Sequence, residues 1–156
     1  MSQSSVWIDL VESPIDLSAW QAKIADPDVG AHGWFLGVTR RSTRAEDPES
    51  GKVTTRVTTE LSYEAHHAMA RAELDRLASQ AVEKFGLAKL VIVHRLGVVP
   101  VGQASVLVGC SSPHRRATFA ALAWIMESLK QEVPIWKRER YDDQSTQWIH
   151  PTGHAT

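Results

Sequence analysis

Leu90-Val91-Ile92-Val93-His94 and Ser105-Val106-Leu107-Val108-Gly109 are two apolar runs joined through the turn-rich stretch from Gly97 to Gly102. They read as two strands of a hairpin-like pair. Ser112-Pro113 follows directly. Proline is favoured at the first helical position, so a helix is predicted from there to about Gln131, and Pro134 prevents long continuation. Strand pairs with segregated helices argue for an α+β domain.

Working outward, Glu64 to Phe85 is the longest helical stretch, with Gly86 placed to end it. Its apolar positions Ala70, Leu74, Leu77, Ala81 and Val82 follow the three-four spacing of an amphipathic helix. Thr54 to Tyr63 is rich in β-branched residues and reads as a strand with Val57, Thr59 and Leu61 on one face. Gly33 to Val38 reads as a mostly buried strand, and Val6 to Val11 as a first strand. A short helix is expected from Ile15, stopping near Asp26-Pro27. Between Arg40 and Gly51 the chain is charged and contains Pro and Gly, which predicts a mobile loop.

Size and composition narrow the function. A chain of 156 residues is most simply one domain, residues 1–156, with its own core. Its 43% apolar and 22% charged content is that of an ordinary soluble protein. The net charge of −1 argues against a general nucleic-acid binder, so any basic cluster is a local device. No apolar run is long enough to suggest a membrane span. The N-terminus shows neither the charged nor the apolar region of a signal peptide, which makes the cytoplasm the expected location. Cys110 is the one cysteine, so no intrachain disulfide or cysteine-rich zinc site is expected. His66, His67 and His94 stand at unrelated spacings that make no metal site, and no P-loop, Gly-x-Gly-x-x-Gly fingerprint or nucleophile elbow occurs, so neither a metal nor a cofactor is expected.

The basic clusters lie at the two ends of the helix that follows Pro113. Ser112-Pro113-His114-Arg115-Arg116 opens it, and Leu129-Lys130 closes it, with Val133-Pro134-Ile135-Trp136-Lys137-Arg138-Glu139 beyond. Cations at a helix N-terminus oppose the helix dipole, and make sense if an anion sits among them and the free backbone N–H groups. That points to a phosphate-bearing ligand. On this helix Arg115, Phe119, Leu122, Met126 and Leu129 fall near one line, which predicts the buried stripe, with Lys130 at its edge. Lys130 reads either as a lysine whose stem covers apolar surface or as a partly desolvated amine, and its position does not choose between them. Lys137 and Arg138 stand on a stiff segment anchored by Trp136, either as site residues or as a solvated charge pair with Glu139. His94-Arg95 and His66-His67 read as structural or surface residues, and Cys110 as a small buried hydrophobe. Arg115 and Lys130 are roughly 22 Å apart along one helix axis. They serve different sites, or a two-fold dimer brings opposite helix ends together.

Several of these stretches together resemble one family. They are Val91-Ile92-Val93-His94-Arg95-Leu96-Gly97, Ser112-Pro113-His114-Arg115, Leu129-Lys130 and the run Val133 to Glu139, with Phe35-Leu36-Gly37-Val38-Thr39-Arg40, Leu61-Ser62-Tyr63-Glu64-Ala65 and Met69-Ala70. In order and separation, from about Gly30 to Trp148, they are similar to the large subunit of molybdopterin synthase, the MoaE family. The resemblance implies an α/β-hammerhead fold with antiparallel strands and two main helices. It implies a central homodimer within a heterotetramer, each end binding a small ubiquitin-like MoaD-type subunit. That partner inserts a thiocarboxylated Gly-Gly tail, and the pocket converts cyclic pyranopterin monophosphate (precursor Z) into the molybdopterin dithiolene.

Carried over by motif, Val38, Thr39, Arg40, His114 and Arg115 are the implied substrate-binding positions. Lys130 and Lys137 are the implied catalytic lysines, Arg138 and Glu139 line the same site, and Phe35 and Met126 line the pocket. The stretch from Arg41 to Lys52 departs from the pattern. The tail after Trp148, with residues 149–156 expected to be flexible, has no arginine where relatives can contribute a basic residue, so either His150 or His154 replaces that contact or the contact is absent. The rival readings are a non-catalytic phosphate- or nucleotide-binding module and a scaffold for the ubiquitin-like partner.

Overall fold

The computed structural model describes residues 4–149; His150 and His154 lie outside them. One sheet has the order β1-β5-β7-β2, built from Ser5–Val11, Lys89–Arg95, Ala104–Ser112 and Ala31–Val38. The other runs β3-β4-β8-β9, from Ser42–Glu46, Val53–Ala65, Ile135–Tyr141 and Thr146–Ile149. β6 (Gly97–Pro100) also pairs with β4. The long helices α2 (His67–Phe85) and α3 (Arg115–Glu132) pack on each other, and a short α1 spans Leu17–Gln21. The class is α+β. All pairs are antiparallel except β1 with β5, which runs parallel from Ser5↔Lys89 to Val11↔Arg95.

The central strands explain the unbroken apolar runs. On one face Leu90, Ile92 and Val108 meet Leu74 and Leu77 of α2 and Ile125 of α3. On the other, Val91, Val93 and Leu107 pack with Ile24 and the partly buried Trp7, Trp20 and Trp34. A strand covered on both faces has no polar side to alternate. α2 buries Ala70, Leu74, Leu77 and Ala81, as their spacing predicts, and ends at Gly86 in the left-handed conformation (φ 61°).

Pairing across the second sheet overrides several local readings. The stretch from Arg40 to Gly51, expected to be a loop, contains β3, whose partners run from Ser42↔Val57 to Glu46↔Val53. Its tip is tied down by Asp47, whose Oδ1 accepts from the backbone N–H groups of Glu49 and Ser50. Glu64 and Ala65 pair with Trp136 and Ile135 instead of starting the helix, so α2 begins at His67 with His66 as its cap. The register of β4 against β8 shifts between Thr58 and Glu60, and Thr58 is buried while Val57 is exposed. The expected face is therefore reversed there.

α3 is rotated by roughly 90° from the predicted stripe. Thr118, Ala121, Ile125, Ser128 and Leu129 are buried, whereas Phe119 is 70% exposed and Leu122 and Met126 only flank the core. The reason is close approach to β2. A Cβ on Gly33 would lie 2.3 Å from Thr118 Cγ2, so small side chains on both elements let the helix settle on the strand.

Candidate active site

A cleft of about 500 Å³ opens where the two sheets meet beside the C-terminal end of α3. β2 contributes Phe35 and Val38, and Arg40 follows just beyond the strand. α3 contributes Met126, Leu129 and Lys130, while β8 contributes Ile135, Lys137 and Glu139. Strand alternation explains the β8 set, because every second residue faces one side. Phe35 and Val38 are 39% and 44% exposed, so the cleft mouth presents apolar surface to the outside.

The polar groups are unevenly charged. Arg40, Lys130 and Lys137 are cationic, against the single carboxylate of Glu139 among the described lining residues. Among the described residues none of these three cations has an ion-pair partner within 4 Å. Burial pulls the Lys137 amine below its ordinary value; Glu139 opposes this, and the positive charges of Lys130 and Arg40 add to it. Lys130 itself is exposed at the cleft, so it is not the desolvated amine of the pair. Glu139 is only 3% exposed and accepts hydrogen bonds from Thr43 Oγ1 at 2.6 Å and from Thr58 Oγ1. It is not part of a solvated charge pair.

Other site candidates lie elsewhere. Arg138 alternates to the opposite face of β8, where its guanidinium stands 5.4 Å from the Trp148 ring. Trp136 shares that face and is 47% exposed, so Ile135 and Tyr141 are the anchors of this strand. Thr39 is buried, donating from Oγ1 to the Val99 carbonyl at 3.3 Å and from its N–H to Gln103 at 3.0 Å. It holds the end of β2 in place without lining the cleft. His114 and Arg115 are exposed at the far, N-terminal end of α3 and do not line the cleft.

Four polar lining residues were not read as site residues from the sequence: Thr43, Tyr63, His94 and Ser105. His94 was expected to be a structural or surface residue. Its Nδ1 lies 2.9 Å from the Arg95 carbonyl, which can only accept, so Nδ1 carries the proton. The ring meets Tyr63 edge-on at 5.0 Å, and burial holds the imidazole neutral, lowering it to about 4. Burial likewise pushes the Tyr63 phenol up. A histidine at the end of an apolar run, three residues before the glycine that opens the turn-rich stretch, was the available signal. Cys110 is fully buried and its thiol is pushed up to about 12, so it supplies no nucleophile here.

The arrangement is an apolar slot with cations along it, suited to an extended segment with small side chains beside an anionic group. The sequence profile of the MoaE protein family matches residues 10–132. A molybdopterin synthase catalytic subunit of Dictyostelium discoideum is 35% identical over 149 residues, covering 94% of this chain and 88% of that one. One from Aspergillus oryzae is 38% identical over 144 residues, covering 92% and 75%. The crystal structure of molybdopterin synthase from Staphylococcus aureus superposes with a TM-score of 0.76 at 31% identity, covering 93% of this chain and 96% of that one. Matches of that depth along nearly the whole chain make one assignment: it belongs to the MoaE family, whose relatives are catalytic subunits of molybdopterin synthase.

Proposed function

We propose that this chain is the catalytic subunit of a molybdopterin synthase. It moves sulfur from the thiocarboxylated C-terminus of a small ubiquitin-like, MoaD-type partner to cyclic pyranopterin monophosphate, forming the dithiolene. The observation that carries the reading is the cleft itself, with Arg40, Lys130 and Lys137 around apolar walls and one carboxylate among its described lining residues. A Gly-Gly tail has almost no side chains and suits an apolar slot. Its thiocarboxylate and the substrate phosphate are both anions that cations hold by charge-assisted hydrogen bonds. Lys137 is half-buried, where a positive charge stabilises negative charge developing as sulfur attacks more strongly than it would in water. Its lowered proton affinity also lets it give up a proton near neutral pH more readily than a free lysine.

Because His114 and Arg115 stand at the other end of α3, the same reading has them reach the substrate from the second copy of a homodimer. The test is reconstitution with precursor Z and a thiocarboxylated partner. The wild-type chain is expected to produce molybdopterin. A partner truncated by its last two residues supports little turnover. Lys130→Ala and Lys137→Ala each lower turnover far more than the ~0.5 kcal/mol that a surface substitution costs in stability. Partner binding without turnover by the wild type refutes the catalytic reading, and losses of activity that only track thermal melting return both lysines to a packing role.

A further inference from the structure

Glu139 is a charged side chain in a place where charge is costly, and what surrounds it is specific. Oε1 accepts from Thr43 Oγ1 at 2.6 Å and from Thr58 Oγ1, while the Tyr141 hydroxyl stands 3.3 Å from Oε2. The two threonine oxygens are 3.1 Å apart. A carboxylate only accepts, so the arrangement that satisfies all three groups sends both threonine protons to Oε1. Tyr141 has one proton and two acceptors in reach, Glu139 and, at 3.0 Å, Gln147 Oε1, so its share is divided. Among the described residues no lysine or arginine lies within ion-pair distance of Glu139. Two hydroxyls, one from each of β3 and β4, thus hold a carboxylate that sits two residues from Lys137 on the same face of β8.

We propose that Thr43 and Thr58 are positioning residues: by fixing the Glu139 carboxylate on the cleft face of β8 that it shares with Lys137, they set the negative charge that the Lys137 amine meets. The charged groups facing Lys137 are few. Glu139 attracts from β8, Lys130 repels from α3, and Arg40 repels from beyond β2. His94 on β5 is neutral at physiological pH, as is Tyr63 on β4. Burial, with Glu139 beside it, also holds Tyr141 protonated, against the Arg56 guanidinium 3.4 Å over its ring. Among the described residues Glu139 is therefore the one anion opposing the burial that lowers Lys137. A carboxylate deprived of its donors in a buried site becomes costly to keep charged, and Lys137 then loses its proton more readily.

The inference deepens the synthase reading, but its first readout needs no turnover. The rate at which acetic anhydride acetylates Lys137, followed by peptide mass spectrometry across pH, measures the neutral amine directly. Thr43→Val with Thr58→Val is expected to raise Lys137 acetylation near neutral pH by about tenfold, since a lost opposite charge shifts an ionisation by at least that factor. Lys130 acetylation stays unchanged. Glu139→Gln reproduces the effect, and Thr43→Ser with Thr58→Ser restores the wild-type profile. In the reconstituted reaction the valine variants lower kcat with little change in the KM for precursor Z. Thr43→Val alone, on the edge strand β3, serves if the double variant does not fold. An unchanged Lys137 profile in folded Thr43→Val and Glu139→Gln proteins overturns the proposal and leaves the hydroxyl pair a packing device. If the wild type makes no molybdopterin while the acetylation shifts appear, the synthase reading falls and the charge coupling stands.

Discussion

Acidification is expected to weaken this fold through one residue, His94. In the folded chain its imidazole is enclosed, donates from Nδ1 to the Arg95 carbonyl at 2.9 Å, and is lowered to about 4 by burial. In the unfolded chain it returns to about 6.5. Between those values the unfolded state binds the extra proton, so stability falls as pH falls. The contribution is whole above pH 6.5 and gone below about 4. Each unit is worth about 1.36 kcal/mol, so the full loss is about 3 kcal/mol, of which about 2 kcal/mol is already felt at pH 5. Urea unfolding followed by tryptophan fluorescence at pH 7, 6, 5 and 4.5, at fixed protein concentration, measures it. With a slope of ~2 kcal/mol per molar, the midpoint of the wild type should drop by about 1 M between pH 7 and 5. His94→Asn keeps an N–H for the Arg95 carbonyl and cannot titrate. Its baseline is lower, because the edge contact with Tyr63 is lost, but its midpoint should change far less with pH. Parallel pH profiles for the two proteins, or a His94 ring signal titrating near 6.5 in the folded wild type, would refute the argument.

Two further outcomes follow from packing and from the separation of the basic clusters. Gly109→Ala should cost about 1–3 kcal/mol by chemical denaturation, because the new Cβ would lie 2.0 Å from the Trp34 ring; an unchanged midpoint would mean that this indole moves freely. Arg115→Ala and Lys130→Ala chains, each nearly inactive alone, should recover towards half of wild-type turnover per heterodimer when mixed, since one site then carries both wild-type residues. No recovery despite verified subunit exchange would mean that each site is built within one chain.

What was legible in the sequence was what a continuous or periodic pattern could encode. The centres of β5 and β7, Leu90–Val93 and Val106–Val108, are unbroken apolar runs because both their faces are covered, and α2 keeps its three-four spacing because it buries a single stripe. β3 was not legible. Its charged composition is that of a loop, and it is a strand only because β-branched residues across Val53 to Val57 offer it a partner, a long-range fact that no local window contains. The face of α3 was missed for a related reason. Hydrophobicity points to Phe119, yet the seat on β2 is decided by the absence of a side chain at Gly33 and by the smallness of Thr118.

The motif Ile135-Trp136-Lys137-Arg138-Glu139 shows the same conflict inside the site. An ordinary half-buried strand puts apolar residues inward, and that rule would bury Trp136 and expose its charged neighbours. Here the inward face carries Ile135, Lys137, Glu139 and Tyr141, and Trp136 and Arg138 turn outward. A lysine and a glutamate on the inner face are a poor choice for stability, since each must be compensated where water is scarce. The compensation is visible: two threonine hydroxyls for the carboxylate, and the carboxylate for the amine. Local patterning fails at this strand because its inward face carries a lysine and a glutamate, and the cost is met by residues from β3 and β4 that are remote in the chain. That also explains why the sequence could point to Lys137 and Glu139 but not to Thr43 and Thr58. The first pair bears charge, which a reader notices, while the second is visible only once the strands have paired.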